Sequence, residues 1–225
     1  MRLRYLGHSA VQLLSGNDQV LIDPFVTGNP KAAVGVDELA PTHIVVTHAH
    51  GDHWGDAADI ARRTGATIVS SAEIAGYARR QGVEGHGMNT GGRHEFGFGS
   101  VTFTQAFHSS SFDDGTYGGM PMGVIVELGG VRVYHAGDTA LFSDMRLIGR
   151  HGLDVALLPI GDNFTMGPDD AIEAVKLLEP KLVIPIHYDT FPLIAQDGPA
   201  FAARVEAETA SRCAPLRPGE SVELP

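Results

Sequence analysis

The sequence predicts an α/β domain of packed sheets with helices on their outer faces, and three observations carry that expectation. Short apolar runs recur along the chain, several of them rich in Val and Ile, with turn residues between them. Stretches bearing helical end signals are interspersed among these runs. The 225 residues, 43% hydrophobic and 19% charged, form an ordinary globular composition, long enough to bury a substantial core. No low-complexity linker or shift in composition divides them, so one domain over residues 1–225 is expected.

The elements follow in order. Leu3–Leu6, Val11–Leu14 and Val20–Ile22 read as strands. Gly16-Asn17-Asp18 joins the second and third with hairpin chemistry, because Gly and Asn accept positive φ at little cost. Ile44-Val45-Val46-Thr47 is a continuous β-branched run that suits a strand buried on both faces. A helix from about Asp56 to Thr64, a strand at Thr67–Ser70 and a helix from about Ala72 to Gln81 come next. In the second half Val101–Phe107, Val124–Leu128, Val131–Tyr134, Leu153–Leu158 and Leu182–Ile186 read as strands, with Gly129-Gly130 as a two-residue turn. The helix from Pro168 to Leu178 is the best marked. Proline suits its first position, Asp169 and Asp170 favour the positive end of its dipole, and Glu179-Pro180 closes it. Phe201–Thr209 reads as the last helix.

Charge and cysteine usage exclude some functions. Acidic residues outnumber basic ones by 27 to 16, the net charge is −11, and no run of Lys or Arg interrupts it. A long polyanion meets net repulsion, so nucleic acid is not expected as a partner. The single cysteine, Cys213, permits no intrachain disulfide and reads as a small buried hydrophobe or a bystander. The N-terminus has no apolar signal core and no apolar run is long enough for a bilayer, so no membrane partner and a cytoplasmic location are expected.

Histidines carry the functional signal. Of the 11, three stand with an aspartate in His48-x-His50-x-Asp52-His53, directly after a buried strand and before a helix. A loop rooted in such a strand can aim several short side chains at one point. Imidazole and carboxylate are donors that suit zinc and similar divalent ions.

These four residues match the H-x-H-x-D-H signature of the metallo-β-lactamase superfamily. His108 after the 101–107 strand, Asp138 in Ala136-Gly137-Asp138-Thr139, and His187 after the 182–186 strand stand at the later ligand positions. The chain resembles that superfamily over nearly its whole length, and the resemblance implies a four-layer αββα sandwich. It also implies two divalent ions, zinc foremost, with manganese or iron as alternatives. His48, His50 and His108 would hold the first, Asp52, His53 and His187 the second, and Asp138 would bridge them. Leu6-Gly7-His8-Ser9, Ile22-Asp23-Pro24-Phe25, Gly28-Asn29-Pro30, Phe164-Thr165-Met166-Gly167-Pro168 and His187-Tyr188 are similar to a metal-dependent hydrolase branch. That branch is related to L-ascorbate-6-phosphate lactonase-like proteins and, more remotely, to phospholipase D-type enzymes acting on N-acyl phosphatidylethanolamines.

Other residues are read with two roles each. Asp23 either accepts a ring N–H behind the metal histidines or opens a turn. His8 either lines the pocket as a catalytic group or is a structural hydrogen bonder. Tyr188 either donates its phenol to a developing oxyanion or packs. Asp52 is expected both to ligate metal and to take a proton from the attacking water. The Ser109–Gly119 segment reads as a flexible lid or selector; Asp162 and Asn163 are read as facing the pocket as well, and Lys31 would add positive charge where its loop borders it. His43, His86, His94, His135 and His151 fit no ligand position.

The expected function is hydrolysis of an ester, lactone or phosphoester bond in a small, anionic substrate, by water activated at a binuclear site. The alternatives are a metal-binding regulatory or sensor protein with little turnover, and a phosphodiesterase. A flavodiiron-type oxidoreductase fits worse, since that branch has glutamate where His50 stands. The sequence leaves a homo-oligomer open.

Overall fold

The computed structural model describes residues 1–225. Strands β1 (Arg2–Gly7), β2 (Ala10–Ser15) and β3 (Asp18–Ile22) form an antiparallel meander. Strands β4 (His43–Val45), β5 (Thr67–Ser71) and β6 (Gly85–Met88) then add in parallel, one beside the next. Their crossovers carry α1 (Gly51–Trp54), α2 (Ala57–Thr64) and α3 (Ala72–Arg80). The second half repeats the scheme. An antiparallel meander of β7 (Arg93–Phe96), β8 (Gly99–Gln105), β9 (Met122–Leu128) and β10 (Val131–His135) is extended in parallel by β11 (Val155–Pro159), β12 (Leu182–Ile186) and β13 (Arg212–Cys213). Here the crossovers carry α4 (Met145–Gly149), α5 (Pro168–Leu178) and α6 (Gly198–Glu208). β14 (Ser221–Glu223) pairs with β1, which completes two seven-stranded sheets.

Side-chain alternation explains the layering. On β3, Val20 and Ile22 enter the core between the sheets while Leu21 faces outward; on β12, Leu182, Ile184 and Ile186 point in and Val183 out. The inward set of both sheets forms one cluster with Leu3, Leu13, Val45, Phe103 and Val133. The outward set of the first sheet packs on Ile60 and Ala61 of α2 and Ile74 and Ala78 of α3. That of the second packs on Ile148, Ile172, Val175 and Phe201 from α4, α5 and α6. Both faces of each sheet are thus covered, which is why its strands read as near-continuous apolar runs. This is the four-layer αββα sandwich.

The structure differs from the expected elements in instructive places. Strands β6 and β7 were not expected; Gly85-His86-Gly87-Met88 carries no β-branched residue, and a Cβ on Gly85 would run into the Ala75 backbone of α3. Here close helix packing, and not strand propensity, selects the residues. The run at 44–47 ends as a strand at Val45, and the chain bends at Thr47 into the histidine loop. The Ser109–Gly119 segment is anchored, contrary to the flexible lid expected. Phe112 is buried and stacks on Tyr77 at 3.6 Å, and Gly118 lies against Ala49 where any side chain would collide. Cys213 lies half-buried on β13, and burial pushes its thiol up to about 12. No helix is long and apolar enough to cross a membrane.

Strand direction sets the position of the site. β1, β3 and β4 run the same way in one sheet, as do β8, β10 and β12 in the other. Their C-terminal ends therefore carry His8, Asp23, the His48–His53 loop, His108, Asp138 and His187.

Candidate metal centre

Three backbone positions at these strand ends are unusual. His8, Asp23 and His187, which directly follow β1, β3 and β12, have φ of 57°, 45° and 54°. Left-handed backbone disfavours residues with a Cβ, so the surrounding contacts must hold it. They do: the His187 N–H donates to the His8 carbonyl at 2.8 Å and the Tyr5 hydroxyl donates to the same oxygen at 3.0 Å. Each turned residue thereby leaves its strand with its side chain directed among the histidines.

All seven expected ligands come together. His48 Nε2 lies 3.0 Å from His50 Nδ1 and 4.0 Å from Asp138 Oδ2. His108 Nε2 is 3.5 Å from Asp138 Oδ2, and His187 Nε2 is 3.1 Å from that oxygen and 3.7 Å from Asp52 Oδ2. His53 Nε2 is 3.2 Å from Asp138 Oδ1. Donors about 2.0–2.2 Å from a tetrahedral ion sit about 3.3–3.6 Å from one another, and the separations here, from 3.0 to 4.0 Å, lie on either side of that spacing. The donor atoms form the sets His48/His50/His108, His48/His53/Asp138 and His8/Asp52/His53/His187, each within 4.8 Å.

The ring nitrogens are oriented by a buried relay. Asp23, fully buried, accepts from the Thr47 N–H at 2.8 Å, the Thr47 hydroxyl at 2.7 Å and His53 Nδ1 at 2.7 Å. The Thr47 hydroxyl gives its proton to Asp23, so its oxygen accepts from His48 Nδ1 at 3.0 Å. Both imidazoles are thereby held as the Nδ1–H tautomer, with the Nε2 lone pair toward Asp138. Asp23 does what the first of its two sequence readings describes.

A divalent ion fits these donors. His53 Nε2, Asp138 Oδ1 and both ring nitrogens of His187 are buried without a hydrogen-bond partner. His53 Nε2 and Asp138 Oδ1 are close, but misaligned for a hydrogen bond. Orphaned buried lone pairs are costly, and several converging on one point call for a cation. Without one, protons stand in. Burial opposes charge on His53 and His187, but Asp138 outweighs it and raises both, His187 to about 9. Burial likewise opposes the Asp52 carboxylate, yet the neighbouring His187, 3.7 Å away, and the hydrogen bond from His8 hold it well below the usual carboxylate range.

The structure separates the remaining candidates. His8 is fully buried, and burial lowers it to about 4 against the hydrogen bond to Asp52, so it is neutral. Its Nε2–H donates to Asp52 Oδ2 at 3.1 Å, and its Nδ1 accepts from the Thr190 hydroxyl at 2.8 Å. Tyr188 turns elsewhere; its hydroxyl lies against Gly198 at the start of α6, with no hydrogen bond to the cluster. Asp162 and Asn163 form a left-handed turn whose Met166 N–H donates to the Thr139 carbonyl beside Asp138. His135 spends both ring nitrogens on backbone, on Ser9 O at 2.9 Å and Gly137 N at 3.1 Å. His43, His86 and His94 pack around Phe96 and Phe98. The exposed Phe107 meets Phe142 edge-on at 5.2 Å, while Phe164 and Phe191 are also exposed. Thr47 and Thr190 went unnoticed in the sequence. Thr47 ends the apolar run as a fully buried hydroxyl, a signal that was available; Thr190 meets His8 only through the fold.

Comparison with known proteins identifies the family. The model of the beta-lactamase superfamily domain matches residues 18–188. A UPF0173 metal-dependent hydrolase of Thermus thermophilus is 59% identical over 224 residues, covering 100% of this chain and 99% of its own. Igni18, described as a novel metallo hydrolase from Ignicoccus hospitalis, is 39% identical with a TM-score of 0.91, covering 98% of this chain and 97% of that one. An isothiocyanate hydrolase from Delia radicum gut bacteria shares the fold alone, at 19% identity and a TM-score of 0.78 over 100% of this chain and 99% of that one. With the signature residues converging as described, the chain belongs to the metallo-β-lactamase superfamily, as a metal-dependent hydrolase of the UPF0173 group.

Proposed function

We propose that the protein hydrolyses an ester, lactone or phosphoester bond of a small, anionic molecule at a binuclear centre. His48, His50 and His108 would hold one ion and Asp52, His53 and His187 the other, with Asp138 shared. The observation that carries this is the set of partnerless buried donors on His53, His187 and Asp138, lying where the two donor groups meet. Zinc is the first expectation for imidazole-rich ligation, with manganese or iron as alternatives. Two divalent ions held there supply Lewis acidity and lower the pKa of water.

The chain's own groups do the rest. His8 fixes Asp52 through Oδ2, which leaves Oδ1 to receive the proton of the attacking water. The Asp23–Thr47 relay keeps His48 and His53 in the ligating tautomer. The anchored Ser109–Gly119 segment fixes one rim, with Ser109 Oγ at 3.4 Å from His50 Nε2. A small substrate is favoured because the chain has no basic run to neutralise a polynucleotide.

Metal analysis after saturation with zinc or manganese should give about two ions per chain, as in two-metal hydrolases. A panel of small esters, lactones and phosphodiesters, including bis-nitrophenyl phosphate, should show turnover abolished by chelation. At most one ion bound would overturn the binuclear assignment. Two ions without turnover on any of the panel would favour a sensor.

A further inference from the structure

A cavity of 740 Å³ adjoins the metal cluster without containing it; of the cluster residues only His8 lies in its wall. Its other walls come from distant parts of the chain: Lys31 after β3, Tyr188 after β12, the start of α6, and Leu216 to Pro218 before β14. The loops bearing Lys31 and Arg217 touch, since a Cβ on Gly219 would lie 3.3 Å from that of Ala33. The volume is in the range of small-molecule sites.

The charges in this wall are of two kinds. Asp189 and Asp197 are committed to local structure, Asp189 accepting from Gln196 N at 2.9 Å and Asp197 from Ala200 N at 2.9 Å. Lys31 and Arg217 form neither an ion pair nor a side-chain hydrogen bond, in a protein of net charge −11. Beside them Leu216, Pro199, Pro215 and Pro218 give an apolar surface.

The geometry points to this cavity as a binding site for a small organic anion, separate from the metal ligands. Lys31 and Arg217 take its phosphate or carboxylate, and its apolar body lies on Leu216 and the prolines. An ammonium and a guanidinium together match an oxyanion as point charge and as fork. The inference concerns binding and does not depend on which bond, if any, the centre hydrolyses.

The test is calorimetric titration of the metal-loaded full chain with phenyl phosphate, with phenol as the neutral control. Phenyl phosphate should bind and phenol should not. Lys31→Met and Arg217→Met, which keep side-chain length and remove charge, should each weaken phenyl phosphate at least about tenfold. Metal content and melting temperature should stay at wild-type values in both. If the variants bind phenyl phosphate as wild type does, the metal centre alone accounts for the binding and the inference falls. It falls equally if phenol binds as well, or if wild type binds nothing.

Discussion

Replacing Asp23 by asparagine keeps the side chain's shape and reverses part of its hydrogen bonding. The amide oxygen can still accept from Thr47 N, now held at 2.8 Å by Oδ1. The amide NH₂ then takes the place of Oδ2, which accepts from both the Thr47 hydroxyl and His53 Nδ1 at 2.7 Å. Two donors would face an NH₂ group that also donates. The Thr47 hydroxyl can rotate. His53 can respond only by moving its proton from Nδ1 to Nε2, the atom 3.2 Å from Asp138 Oδ1. That proton occupies the lone pair the ion needs. Losing the group that orients a ligating histidine costs about 10–100-fold in metal affinity, or about 1.4–2.8 kcal/mol. Competition against a chromophoric chelator should show one of two ions weakened by that factor. The other should change less, because His48 is one hydroxyl further from the substitution. Affinities for both ions within about twofold of wild type would refute the tautomer argument.

Asp52→Ala should lower hydrolysis more than about tenfold, a loss above about 1.4 kcal/mol in the barrier, with the melting curve of the chelated protein little changed; a smaller loss of rate means that Asp52 has been misassigned. Thr190→Val removes the donor to His8 Nδ1 while keeping shape, so steady-state kinetics should show a lower kcat. Chemical denaturation should show a stability loss of about 1–3 kcal/mol for the orphaned nitrogen; unchanged values of both would reduce Thr190 to packing. Metal uptake should release protons and weaken as pH falls below about 9. Burial opposes the charge on His187, yet Asp138 raises it to about 9, so at lower pH the ion must displace a bound proton. Titrations at several pH values in buffers of different ionisation enthalpy measure this, and a pH-independent affinity would contradict it.

Much of the sandwich was legible because burial on both sheet faces imprints long β-branched and apolar runs, as at Leu182–Ile186 and Ile44–Val46. Pro168–Leu178 was legible to the residue through its proline, its acidic first turn and the Glu179 stop. β6 was not, because its glycines answer to the approach of α3. β13 and β14 were not, because two or three residues carry no period. The candidate ligands could be named because the His48–His53 motif and three strand-end residues match a family pattern, and the fold brings them together. The roles of their neighbours could not. His187 takes a left-handed turn that sends Tyr188 toward α6, and no residue near Thr190 announces the contact with His8.

The division of the proposed ligands between two sheets would bear on how the protein acquires its metal during synthesis. His48, His50, Asp52 and His53 emerge from the ribosome early, whereas His108, Asp138 and His187 follow with the second sheet. A nascent chain therefore displays a partial chelate of three imidazoles and a carboxylate, with none of the geometry that the docked sheets impose. Such an open chelate ranks metals by intrinsic affinity, which favours copper over zinc and zinc over manganese or iron. Only after β12 has joined the second sheet, a long-range pairing and so a slow one, can coordination geometry take part in the choice. On the proposed ligand set, which ion ends in the centre would depend on whether the sheets close before a competing metal arrives, and metal supply during translation would become part of the protein's specificity.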